Sequence, residues 1–297
     1  MALSTISNDF LKVEINSLGA ELFSVVHISS GRECLWQGTP EFWKSRSPVL
    51  FPIVGGLHNL TMRHQGGEYS MTQHGFARAS EFAIIKHEAD EIVFRLESSD
   101  ATREKYPFEF SLEIGYKLSD SNIYVSYRVV NPSTETLHFQ IGAHPGFNYI
   151  DYDPTAEVQG YLEFDDKTGS GNILSGIIND KGMLIEREKT LPLTDKLLAI
   201  DKDSFNDGAF IIEDDQTSDI ALCDRDKEPY VRVTFDTPVV GVWSCSKGSY
   251  APFVCIEPWL GRCDKEGYQG EFADKDWMQH LCGNSEFKTG FNIWIAK

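Results

Sequence analysis

An acid set among apolar residues and two histidines in glycine-containing segments are the side chains best suited to chemistry in this 297-residue sequence. In Val254-Cys-Ile-Glu-Pro-Trp-Leu-Gly-Arg262 an extended strand turns Cys255, Glu257 and Trp259 to one face and Val254 and Ile256 to the other. A carboxylate there pays a heavy desolvation penalty unless it is paired, hydrogen-bonded or protonated. Glu257 is therefore either a member of a buried network or a tuned base, and a salt bridge to Arg262 or Lys247 is the plainer alternative. In Phe139-Gln-Ile-Gly-Ala-His-Pro-Gly-Phe147 the polar residues His138, Gln140 and His144 share a strand face with Gly142, and Pro145-Gly146 is expected to stop the strand, holding the His144 imidazole at a sheet edge or floor. A histidine in a strand is more often a hydrogen-bonded core or surface residue, so His144 alone decides nothing.

The second histidine lies in Thr72-Gln-His-Gly-Phe-Ala-Arg78, where Gln73, His74 and Arg78 bring an amide, an imidazole and a guanidinium beside an aromatic ring. Such mixtures suit sugars, whose hydroxyls need directed donors and acceptors and whose apolar faces stack on rings. An ordinary turn with a surface arginine pair reads equally well. Asp207, in Phe205-Asn-Asp-Gly-Ala-Phe210, is either a hydroxyl-binding acid or an Asx turn that begins a strand. Arg46 either clamps an anion or pairs with one of the surplus acids. Two histidines and a glutamate also form a potential His₂Glu metal set, although no spacing puts two of them on one local element.

The elements that must position these residues are strands. Phe108, Phe110, Leu112, Ile114, Tyr116 and Leu118 recur at every second position, and similar alternation runs through 92–96, 123–129, 231–235 and 291–295. Turn chemistry falls between such runs, as at Gly66-Gly67 and 119–122. Helical signal is confined to short turns at 40–43 and 273–281. Many short strands without a Pro-rich or Ser/Gly-rich linker predict an all-β fold: one large antiparallel β-sandwich over residues 1–297 with a few short helices.

Composition narrows the function. With 27 Lys plus Arg against 45 Asp plus Glu, the net charge of −18 repels nucleic acid and anionic lipid, so neither is an expected partner. No leader pattern or apolar run long enough to span a bilayer is present, which predicts a soluble, cytoplasmic protein. The six cysteines have no CxxC spacing and are expected to be reduced and mostly packed. Phosphate-cradling, dinucleotide, zincin and serine-elbow motifs are all missing.

Five blocks, in order, resemble the aldose 1-epimerase (galactose mutarotase) family, most closely its LacX-like branch. They are Arg46-Ser-Pro-Val-Leu-Phe-Pro-Ile-Val-Gly55, His74-Gly-Phe-Ala-Arg78, Gly142-Ala-His-Pro-Gly-Phe147, Phe205-Asn-Asp-Gly-Ala209 and Cys255-Ile-Glu-Pro-Trp259. The resemblance implies a galactose mutarotase-like supersandwich with a shallow sugar site on a concave sheet, and no metal or organic cofactor. It implies Glu257 as catalytic base and His144 as general acid, with His74 and Asp207 on the sugar and Arg78 and Arg46 directed at a sugar phosphate; Gln73 is a sugar-binding candidate from its loop alone. The expected ligand is a small sugar or sugar phosphate. A non-catalytic carbohydrate-binding module, a glycoside hydrolase pairing Glu257 with Asp207, and a metal-dependent isomerase are the competing readings. The sequence leaves the oligomeric state open.

Overall fold

Alternation of apolar and polar residues becomes antiparallel sheet throughout the computed structural model, which describes residues 2–245 and 250–296. A nine-stranded sheet runs in spatial order Leu197–Ile200, Gly160–Phe164, Asp219–Cys223, Pro229–Phe235, Ser285–Ile295, Asn122–Asn131, Ser111–Ser119, Glu91–Glu97 and Ala83–His87. The second large sheet is ordered Leu184–Pro192, Asn172–Ile178, Phe210–Ile212, Val239–Trp243, Phe253–Leu260, Ile141–Ala143 and Val49–Leu50, with Gly146–Asn148 also paired to Phe253–Leu260. The first 33 residues contribute a four-stranded sheet, Leu3–Ser7, Leu11–Asn16, Glu21–His27 and Arg32–Glu33. Among the described residues, helix is restricted to Asp100–Arg103 and three 3₁₀ turns, one of which, Phe272–Asp274, overlaps the expected turn near 273. The end of that segment, Gln279–Leu281, is a strand.

The main core fills the space between the large sheets, as two-layer packing requires. Leu112, Ile114, Tyr116 and Leu118 from the first sheet share one buried cluster with Phe210, Ile212, Val240, Val242, Val254 and Ile256 from the second, and the cluster extends from Ile6 to Ile295. The opposite face of the second sheet is covered too. Leu50, Leu184, Ile211, Val239, Trp259 and Cys263 form one cluster there. Trp36, Ala251, Phe253 and Cys255, with Phe42, Trp43 and Trp243 against them, form another. All eight residues of Phe253–Leu260 are consequently buried, which is why this strand reads as a nearly unbroken apolar run. Glu257 sits between the two outer clusters on that face.

One local expectation is corrected. Pro145-Gly146 does not end the strand but interrupts it: Ile141–Ala143 pairs with the C-terminal end of Phe253–Leu260, and Gly146–Asn148 resumes pairing at its N-terminal end, with Gly146 opposite Cys255. His144 and Pro145 occupy the break. Proline has no N–H to give a ladder, and the Pro145 carbonyl instead accepts from Ile256 N–H at 3.2 Å. The interruption brings the His144 ring onto the carboxylate-bearing strand.

Candidate functional site

The site begins as a row across the second sheet. Register aligns Gly176 with Ile211, Ile211 with Gly241, and Gly241 with Glu257. A glycine at 241 leaves space for the Trp259 indole, since a Cβ there would lie 2.5 Å from two of its ring carbons. Gly241→Ala is therefore expected to displace Trp259, lower stability by about 1–3 kcal/mol through overpacking, and weaken ligand binding; urea unfolding and ligand titration of the variant check both.

Over the end of this row opens a hollow of ≈ 350 Å³, lined by His74, Arg78, His144, Glu257 and the indoles of Trp43, Trp243 and Trp259, with Gln73 at the side. That size falls within the range of small-molecule sites, roughly 300–1,000 Å³. His144 Nε2 and Glu257 Oε2 are 3.2 Å apart. The contact is a close approach of ionisable groups rather than an aligned hydrogen bond: Glu257 Oε2 and His144 Nδ1 have no hydrogen-bond partner among the described residues. Both side chains are deeply buried, with Glu257 1% and His144 8% exposed.

Burial sets their protonation. It drives the Glu257 carboxyl well above its usual value, with the nearby Trp259 side chain working against the shift. Burial also lowers the His144 imidazole to about 3, with the Arg78 cation acting in the same direction. The pair therefore holds one proton, resting on the carboxyl when nothing else faces it. Trp43 stacks on the His144 ring at a centroid distance of 4.7 Å, and Trp243 meets it edge-on at 5.7 Å.

His74 is held in the left-handed region at φ 66, sparsely populated by residues with a side chain. Gly55 N–H donates to its Nδ1 at 3.1 Å, and His74 N–H donates to the Gly55 carbonyl at 2.8 Å. With Nδ1 accepting, a neutral ring carries its proton on Nε2. Burial, then His144 and Arg78, pushes the His74 imidazole well below its usual value, so the ring is a neutral donor. The following Gly75, at φ 73, lies so close to Phe51 that a Cβ would come within 2.2 Å of the Phe51 carbonyl oxygen.

Five of the expected site residues, Glu257, His144, His74, Gln73 and Arg78, thus face one hollow. The other two stand apart from it. Asp207 is exposed, its carboxylate 3.4 Å from Lys189 Nζ, and only its neighbours Gly208 and Ala209 line the hollow. The turn closed by Gly208 N–H on the Phe205 carbonyl directs it outward. Arg46 lies over the Phe23 ring at 3.5 Å and donates to the Phe23 carbonyl and to Gln37, so it secures the N-terminal sheet. Arg262, a sequence candidate for pairing with Glu257, binds Glu213 and Asp276 instead. Lys247, the other, lies outside the described residues.

Sequence reasoning left Trp43 open between a site, the core and a subunit contact, and did not single out Trp243. Trp243 shares a face with Gly241 along an alternating strand, a visible signal, whereas Trp43 comes from a loop and reaches His144 only through tertiary packing. His144, Cys255 and Glu257 each offer a donor atom within 4.8 Å of the other two, a different trio from the two-histidine set considered above. A broader depression of ≈ 1090 Å³ lies over Glu186, Glu188, Glu213, Arg262 and Trp277; its lining is acidic on balance, Arg262 being paired with Glu213 and Asp276, and no histidine lines it.

Residues 2–275 match the family described as Aldose 1-epimerase. The chain is 31% identical to the chromosomal Protein LacX of Lactococcus lactis subsp. lactis over 98% of both chains. Among solved structures, a galactose mutarotase related enzyme from Lactobacillus acidophilus superposes with a TM-score of 0.91 at 34% identity, covering 100% of this chain and 98% of that one. A galactose mutarotase-like protein from Lactobacillus casei also gives 0.91, at 25% identity, over 99% of this chain and 100% of that one. Matched along nearly its whole length in sequence and in fold, the chain belongs to the aldose 1-epimerase family.

Proposed function

We propose that the protein is a mutarotase of the LacX-like branch that interconverts the α and β anomers of a hexose or hexose phosphate. The observation that carries the reading is the 3.2 Å approach of His144 to Glu257 inside a hollow of pyranose dimensions walled by indoles. Anomer exchange needs a proton removed from the C1 hydroxyl and another delivered to the ring oxygen. Glu257 takes the first and His144 gives the second; the ring opens to the aldehyde, the C1–C2 bond rotates, and the same two groups return the protons in reversed roles. The reactive state, carboxylate with imidazolium, contains the same number of protons as the neutral pair favoured by burial. A sugar hydroxyl donating to Glu257 and a ring oxygen accepting from His144 stabilise the charged forms, and so draw the proton across. His74 Nε2–H supplies a fixed donor to a hydroxyl, and the indoles accept the apolar sugar face.

The test is the rate at which freshly dissolved α-glucose or α-galactose approaches anomeric equilibrium, followed by polarimetry or NMR exchange. Acceleration that scales with protein concentration supports the reading. Sugar binding without acceleration replaces it with the carbohydrate-binding module.

Arg78 bears on phosphorylated substrates. It lines the hollow and no hydrogen bond or ion pair to it is formed by the described residues. Replacement of Arg78 by alanine is expected to raise KM for a hexose phosphate about tenfold, the value of one charge-assisted contact, while leaving KM for the free hexose nearly unchanged. Equal effects on both sugars would show that Arg78 does not read phosphate.

A further inference from the structure

The trio His144, Cys255 and Glu257 has a second chemistry that proton transfer does not use. Cys255 and Glu257 are two residues apart on one strand and face the same way, and His144 stands opposite them in the strand break, so the sheet itself fixes the three donors. One donor atom from each lies within 4.8 Å of the other two, and all three residues are buried. His144 Nε2 and Glu257 Oε2, at 3.2 Å, already have the separation of two ligands on one small cation, roughly 3.5 Å for tetrahedral zinc. Cys255 needs a side-chain adjustment of about 1 Å to join them. Two buried polar atoms of the trio, Glu257 Oε2 and His144 Nδ1, have no hydrogen-bond partner among the described residues.

We propose that these three side chains form a binding site for a thiophilic divalent cation, with Zn²⁺ the best match, and that the bound ion switches the site off. A sulfur, nitrogen and oxygen donor set suits Zn²⁺ and excludes Mg²⁺ and Ca²⁺, which require oxygen shells. Three protein ligands leave a fourth position, and because His144 and Glu257 line the hollow while Cys255 does not, that position opens toward the sugar space. Charge also balances: the Cys255 thiol and the Glu257 carboxyl each release a proton to solvent, and two anionic ligands neutralise a dipositive ion in a dry site. A cation held there occupies the base and the acid together, so anomer exchange stops and sugar competes with metal. The inhibition rests on the proposed mutarotase chemistry, whereas the metal binding does not.

Titrating the metal-free full chain with Co²⁺ is expected to give a thiolate-to-cobalt charge-transfer band that saturates at one equivalent and is lost when Zn²⁺ displaces the cobalt. Cys255→Ser should abolish the band and weaken Zn²⁺ binding by more than about a hundredfold, beyond what loss of an outer hydrogen bond costs. It should retain anomer exchange that Zn²⁺ no longer inhibits, and Cys255→Ala serves if the serine variant does not fold. Imidazole-only binding at the His138–His280 pair, whose Nδ1 atoms are 2.8 Å apart, cannot produce a thiolate band. Absence of the band, or a band that survives both replacements, overturns the site. Zinc inhibition that survives both replacements overturns the switch. A Cys255-dependent band in a protein without anomer exchange upholds the metal site and overturns the mutarotase reading instead.

Discussion

Glu257→Gln is expected to remove nearly all anomer exchange, by about 10²–10⁴-fold, while sugar affinity changes little. Glutamine keeps the shape and a hydrogen-bonding carbonyl at the floor of the hollow, but it cannot take up the C1 proton. His144→Asn should give a loss of the same order, because in the proposed mechanism the two groups act on opposite ends of one hemiacetal. The double variant should be little slower than either single one, as expected for residues acting as a unit. NMR exchange between anomers measures the rates, and calorimetric titration measures binding. A variant near the wild-type rate removes its residue from the mechanism. The pH profile of the wild type gives an independent reading. The active pair carries one proton, so the rate falls when a second is added or the last is lost, and the two limbs belong to the pair rather than to either residue. Burial lowers the His144 imidazole to about 3 in the resting site, so the acid limb should lie well below the ordinary histidine value of 6.5. An acid limb centred at 6.5 would contradict that environment.

Lys275→Met should produce the largest loss of stability, about 3–5 kcal/mol, because it strands a buried carboxylate. Lys275 and Asp264 are each 3% exposed at the side chain and are directly paired. Asp264 also accepts from His58 N–H at 2.7 Å, and its own N–H donates to the Gly56 carbonyl at 2.9 Å. The pair thus ties the segment after Gly55, which holds His74, to the chain leaving the Glu257 strand. Typical domains have only about 5–15 kcal/mol in hand, so the variant should unfold at markedly lower urea. Adding Asp264→Asn removes the stranded charge and should recover much of the loss. Additive effects of the two replacements, or a loss below about 1 kcal/mol for Lys275→Met, as for an exposed pair, would show that the ion pair is not structurally coupled.

Much of the architecture could be read from alternation, because a strand exposes its burial pattern in every second residue. Phe108 through Leu118 is an example: all six apolar positions are buried, although the strand begins only at Ser111. Glu257 stood out for the same reason, as a charge in an apolar run. Asp207 and Arg46 were harder because their partners, Lys189 and Phe23, are brought to them by tertiary contacts that no local window contains. At Pro145 the local rule identified the disturbance but not its outcome, since a strand broken by proline can resume when a long neighbour offers ladder partners on both sides. The Trp43 stack on His144 had no local signature at all. The four-residue helix Asp100–Arg103 was also not anticipated, although Ser99 and Thr102 cap it reciprocally.

The broken strand opposite Glu257 has a consequence for how such a protein can diversify. Glu257 is anchored in a hydrogen-bonded ladder and His144 in a two-residue break flanked by paired strands, whereas Gln73, Arg78 and Gly208 sit on connecting segments around the opening. Under the proposed function, substitutions in those segments would retune which sugar is admitted without moving His144 and Glu257, so new preferences are open to gradual drift while the proposed reaction is inherited unchanged.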